Sequence, residues 1–139
     1  EQPLLGGDET TLANAAVSDH EGRVVLTGSG HGCEVAGEAA QGEGVACIDF
    51  GVWWREHAVP GTLLKMDIEG HETAILPALK DGWKAPCAVF LETHATGGRD
   101  EETVGQLRDA GFEIECLRSH SLPDDGRVFK EYCAILRGR

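Results

Sequence analysis

Basic side chains are scarce in this sequence. Over 139 residues, 12 Lys and Arg stand against 24 Asp and Glu, a net charge of −12. Phosphate backbones and anionic lipid are gripped mainly through Lys and Arg, so neither nucleic acid nor a membrane surface is an expected partner. Long apolar runs are also missing. Stretches such as Cys87 to Leu91 fall far short of the roughly 20 residues a bilayer-spanning helix needs. No charged-then-apolar leader opens the sequence, and Glu1 rather than Met stands first, so this beginning is not read as a natural one. Cys-x-x-Cys pairs are absent too. The five cysteines, at 33, 47, 87, 116 and 133, are odd in number and widely spaced, which argues against a disulfide framework or a zinc knuckle. Cys47, Cys87, Cys116 and Cys133 sit beside apolar residues and are expected to be buried reduced thiols, in a reducing, cytoplasmic setting.

What the sequence does hold is an alternation of strands and helices. Leu12 to Ser18 and Arg23 to Thr27 read as strands around an Asp19–Gly22 turn. Residues 28 to 44 contain six Gly and little apolar content, so they read as a loop. Val45 to Ile48 is a short strand, and Asp49 is placed to cap a helix reaching about His57, with Val52 and Trp53 facing inward. Trp53 and Trp54 are expected to divide between core and partial exposure. Thr62 to Ile68 is a strand. The helix after it, Thr73 to Lys80, buries Ile75, Leu76 and Leu79, and Pro77 predicts an irregular or kinked first turn. Cys87 to Leu91 is a strand. Asp100 predicts an N-cap, Val104 and Leu107 a buried stripe, and Gly111 the helix end. Phe112 to Leu117 and Val128 to Leu136 follow as strands with no helix between them, so that pair is expected to be antiparallel. The pattern predicts one α/β domain over residues 1–139 with a mostly parallel sheet.

Two apolar strands turn acidic in the same way. Leu63-Leu64 leads into Lys65-Met66-Asp67-Ile68-Glu69-Gly70-His71-Glu72, and Ala88-Val89-Phe90-Leu91 leads into Glu92-Thr93-His94. Ligands of open α/β sheets bind outside the carboxyl ends of strands. Lys65, Asp67 and Glu69 alternate at strand spacing, and so do Glu92 and His94, so each set can project to one side. Burying three carboxylates, an imidazole and an ammonium together is too costly without a purpose or a partner. Such a group suits general acid–base work. It equally suits a hard cation, Mg2+ or Mn2+, held by Asp67, Glu69, Glu92 and His94. The sequence leaves both open. Gly28-Ser29-Gly30-His31-Gly32 echoes a cofactor-binding loop, but no amphipathic helix follows it. His20, His57 and His120 are expected at the surface.

The run Lys65-Met66-Asp67-Ile68-Glu69-Gly70-His71-Glu72, with Ile75-Leu76 after it, resembles the Lys-x-Asp-x-Glu-Gly-x-Glu signature of FkbM-family methyltransferases. Asn14-Ala15-Ala16-Val17-Ser18-Asp19 with Gly22, Glu92-Thr93-His94, and Leu107 through Gly111-Phe112 match that family in kind and order, over about residues 12 to 136. The resemblance implies a class I methyltransferase-like, Rossmann-like fold and transfer of a methyl group from S-adenosylmethionine to an oxygen. A small-molecule or glycan-like hydroxyl is the favoured acceptor. In that family a Gly-rich turn after the first strand and an acidic residue ending the second hold the donor. Neither is seen before Leu12, so the resemblance implies the C-terminal part of such a domain, lacking its first two strands. Ala15 and Ala16 would border the adenine, and Asp67 and Glu69 would lie nearest the transferred methyl. Glu92 and His94 are candidate bases, and Lys65 would orient the carboxylates. Two other classes remain open: a non-catalytic α/β remnant binding a metal or a protein partner, and a metal-dependent hydrolase. Unpaired sheet edges make self-association an expectation as well.

Overall fold

Asp49 caps the first helix as its position predicts: its Oδ1 accepts a hydrogen bond from the Val52 N–H at 2.9 Å. The helix, α1, runs Phe50–His57. Within it Gly51 and Trp54 are buried, whereas Val52 and Trp53 are each 42% exposed. The inward face is therefore Phe50, Gly51, Trp54 and Ala58, one helical stripe, and not Val52 and Trp53. The reason lies across the interface. A Cβ on Gly51 would come within 2.8 Å of the Ala78 Cβ, so the glycine side is the one that lets two helices approach closely.

The computed structural model describes residues 12–28, 34–35, 44–95, 99–121 and 128–138. The Gly-rich stretch singled out at Gly28–Gly32 lies, apart from Gly28, outside the described residues, as does Cys33. Strands β1 (Ala16–Ser18) and β2 (Gly22–Val24) flank β5 (Val45–Asp49), the first parallel to it and the second antiparallel. Strands β3 (Leu26–Thr27) and β4 (Glu34–Val35) form a small antiparallel pair. The larger sheet has the order β6-β7-β9-β8, from β6 (Leu63–Met66), β7 (Cys87–Ala95), β8 (Glu113–Ser121) and β9 (Val128–Leu136). Only β6 with β7 is parallel in it. The chain is thus mixed α/β, and antiparallel pairings outnumber parallel ones among the described residues, contrary to a mostly parallel sheet. With no helix between β8 and β9, the chain reverses, and β9 inserts between β7 and β8 antiparallel to both. The antiparallel C-terminal pair itself is as expected.

Helix α2 is Glu72–Leu79 and α3 is Arg99–Asp109. Ile75, Leu76 and Leu79 are all buried, as are Val104 and Leu107. Along β7, Cys87, Val89 and Leu91 are buried while Phe90 is 38% exposed, the alternation of a sheet with one packed face. Pro77 sits inside α2, whose first turn shares the His71 carbonyl between the N–H groups of Ala74 at 3.1 Å and Ile75 at 3.2 Å. Having no N–H, it frees the Thr73 carbonyl one turn back, and the Gln106 side chain of α3 donates to that oxygen at 3.3 Å. Gly111, at φ 92, closes α3, with its N–H bonded to the Arg108 carbonyl. Beyond α2, Gly82 leaves room for Trp54: a Cβ there would meet the indole at 2.6 Å. Trp54, Trp83 and Phe112 then stack edge to face, with centroids 5.2 and 4.9 Å apart. Cys47 and Cys87 are buried free thiols, but Cys133 is only part-buried and Cys116 is exposed, because β8 is an outer strand. Burial pushes the Cys87 thiol above its ordinary pKa. Among the described residues no helix is long and apolar enough to cross a membrane.

Candidate functional site

Strand β6 stops at Met66, paired with Leu91, while β7 continues to Ala95 because β9 pairs with it throughout. Glu92 and His94 therefore lie within a strand and not beyond its end. They project from the same face as Phe90 and look onto the turn that follows β6. That turn is built by two left-handed residues, Glu69 at φ 54 and Gly70 at φ 94. Left-handed backbone at a non-glycine residue costs on the order of 1 kcal/mol and needs support from its surroundings. Glu72 provides it. Its carboxylate, 2% exposed as a residue, accepts from the backbone N–H of Ile68 at 3.1 Å and of Gly70 at 3.3 Å.

The turn brings the expected residues together by a route other than strand alternation. His94 Nε2 lies 3.5 Å from Glu92 Oε1, 3.7 Å from Glu69 Oε2 and 3.8 Å from Asp67 Oδ1. The His94 side chain is 9% exposed, Glu69 22%, Glu92 30% and Asp67 33%. Lys65 is peripheral: its Nζ donates to Asp67 Oδ2 at 3.2 Å from a side chain 68% exposed. Behind His94 the Phe129 ring packs edge-on at 5.0 Å, and the exposed His120 stacks on Phe129 at 5.2 Å. On the neighbouring strand Glu131 faces Glu92, and Arg118 pairs with Glu131 at 3.4 Å.

Asp67 and Glu69 also form one wall of a cleft of about 280 Å³. Its other lining residues are Ala15, Ala16, Val17, Leu26, Val35, Ile68 and His71. His71 had no role assigned from the sequence, yet its Nε2 is buried without a hydrogen-bond partner. A larger cavity of about 360 Å³ between α2 and α3 shares no residue with the cluster.

Next to the cluster, Asp100 lies in the first turn of α3 and not at its cap, and its carboxylate takes a hydrogen bond from Lys130 Nζ on β9. Lys130 holds the Asp100 carboxyl below its usual range, and Asp100 in turn raises the ammonium. Since the Asp100 value is depressed on folding, its contribution is present above about pH 4 and lost as pH falls through the lower folded value. The Lys130 contribution is complete below about pH 10 and lost as pH rises through the raised value. Asp100→Asn is expected to cost about 1–3 kcal/mol at neutral pH, a partly exposed pair being worth less than a buried one. The difference from the parent should shrink below pH 4, read from urea midpoints at pH 7 and pH 3.

No protein-family model matches this sequence, and no curated protein does. Among solved structures the chain is similar to a precorrin-6y C5,15-methyltransferase from Geobacter metallireducens GS-15, at 14% identity and a TM-score of 0.36. The match covers 55% of this chain and 42% of that one, under half of the neighbour's length.

Proposed function

We propose that these residues are the C-terminal part of an S-adenosylmethionine-dependent methyltransferase domain of the FkbM type, acting on a hydroxyl of a small-molecule or glycan-like acceptor. One observation carries the reading. Asp67 and Glu69 form a shared wall, with the Ala15–Ala16 cleft on one side and Glu92 and His94 on the other. A group-transfer enzyme needs donor and acceptor pockets to meet at such a wall.

The cleft suits the donor. Ala15 and Ala16 leave small side chains along the cleft wall, with room for an adenine. Asp67 and Glu69 give the wall negative charge, which suits a sulfonium cation. When bound, S-adenosylmethionine supplies an electrophilic methyl carbon. The remaining work falls to the chain itself. Glu92 accepts the acceptor hydroxyl as a hydrogen-bond donor and takes its proton. Of the two candidate bases it is the accessible one, because His94 is nine-tenths buried behind the three carboxylates. Lys65 steadies Asp67.

On the family resemblance a Gly-rich turn that holds the donor precedes the segment at Leu12, so the reading is tested on a protein in which such a turn precedes residues 1–139. Incubating that protein with methyl-labelled donor and a panel of sugars and hydroxylated small molecules tests the reading. Label is expected in alkali-stable methyl ethers. Label appearing only on nitrogen or carbon would contradict it.

A further inference from the structure

A row of rings leads away from Glu92 across the sheet. Strand pairing sets His94 opposite Phe129 on β9, and Phe129 opposite His120 on β8, so the three share one face. Glu92, Glu131 and Arg118 form the next row of that face. Exposure rises along the row of rings. The His94 side chain is 9% exposed, Phe129 is part-buried, and His120 is exposed although Phe129 covers one side of its ring. His94 meets Phe129 edge-on, at 86° between planes, whereas Phe129 and His120 lie flat together, 9° apart at 5.2 Å.

We infer that His120 and Arg118 recognise the acceptor, and that this acceptor is a saccharide of at least two linked rings. Given Glu92 as the acceptor's base, the reading on which this rests, the reacting hydroxyl lies over β7. A sugar ring offers two kinds of surface, apolar C–H faces and a rim of hydroxyls. The faces suit a flat aromatic ring, and the rim needs fixed hydrogen-bond partners. His120 supplies the flat ring. Arg118, with a side chain 68% exposed, gives one N–H to Glu131 at 3.4 Å and keeps others for hydroxyls. The span sets the size of the ligand. With β9 between them, β7 and β8 are two strand spacings apart, about 10 Å. That gap is wider than one sugar ring, and two linked rings bridge it, the first at Glu92 and the second on His120. A cross-strand ring pair also stabilises a sheet, but that role is indifferent to sugars.

Saturation-transfer NMR on residues 1–139, with maltose, cellobiose and lactose against glucose and galactose, tests this without a methyl donor. At least one disaccharide is expected to bind about three- to tenfold tighter than either monosaccharide, the range one ring contact supplies. His120→Ala should weaken that disaccharide by the same factor and bring it level with the monosaccharides. His57→Ala removes another exposed imidazole stacked on an aromatic ring, on α1, and should leave the disaccharide unchanged. A purely structural role for His120 would move the melting temperature and not this ratio. Equal binding of mono- and disaccharides, or a disaccharide affinity untouched by His120→Ala, would overturn the inference. So would the absence of any saturation at about 20 mM sugar, where even millimolar binding registers. Disaccharide binding through His120 in a longer protein that methylates nothing would uphold this site and sink only the methyltransferase reading.

Discussion

Glu92→Gln is expected to lower methyl transfer by about 10²- to 10⁴-fold, the usual contribution of a positioned base. The amide keeps the shape of the carboxylate and still accepts a hydrogen bond, so acceptor binding should change little and the loss should appear in kcat. Glu131→Gln is the matched control. Glu131 faces Glu92 across β7 and β9, on the same sheet face, and is tied to Arg118. Its loss removes similar charge from the neighbourhood and should change activity by no more than a few-fold. Equal losses in the two variants would mean that net charge at this end of the sheet matters, and that Glu92 is no base.

The largest effect on stability is expected at Trp54. Its side chain is 2% exposed, fills the space left by Gly82 and meets Trp83 edge to face. Trp54→Ala removes that burial and leaves a cavity between α1, α2 and the Trp83–Phe112 pair, at a cost of about 3–5 kcal/mol. Trp53→Ala next to it should cost about 1 kcal/mol or less, since Trp53 is 42% exposed and stacks along the helix surface on Phe50 and His57. Urea unfolding of the two variants reads the contrast directly.

Which of these features the sequence discloses follows from how local each one is. The Asp49 cap, the Ile75-Leu76-Leu79 stripe and the Gly111 stop depend on residues within one or two turns, and all appear where the pattern puts them. The inward face of α1 does not, because the choice between Val52-Trp53 and Gly51-Trp54 is made by Ala78 and Gly82 on other elements. Sheet direction is likewise non-local. The short connection after β8 predicts a reversal, but nothing near it says that β9 will insert beside β7.

The candidate site was legible as composition and not as geometry. Asp67, Glu69, Glu92 and His94 converge as expected, yet Glu69 arrives through a left-handed turn that strand alternation does not describe. Glu72 fastens that turn from inside the signature, and the carboxylate just past a Glu-Gly pair was the available signal. The Asp100–Lys130 pair joins residues 30 apart and carries no local mark.

Equilibrium dialysis with labelled S-adenosylmethionine tests the central claim most directly. It compares residues 1–139 with the same residues preceded by the Gly-rich strand–turn–helix that the family resemblance implies. The far wall alone, around Ala15, Ala16 and Asp67, should bind the donor very weakly or not at all, since affinity in such folds comes largely from backbone amides at a helix N-terminus. The longer form should bind saturably, and lose that binding when Ala16→Trp fills the cleft. A folded longer form that fails to bind the donor, or one that binds it equally well with the cleft filled, would contradict the account.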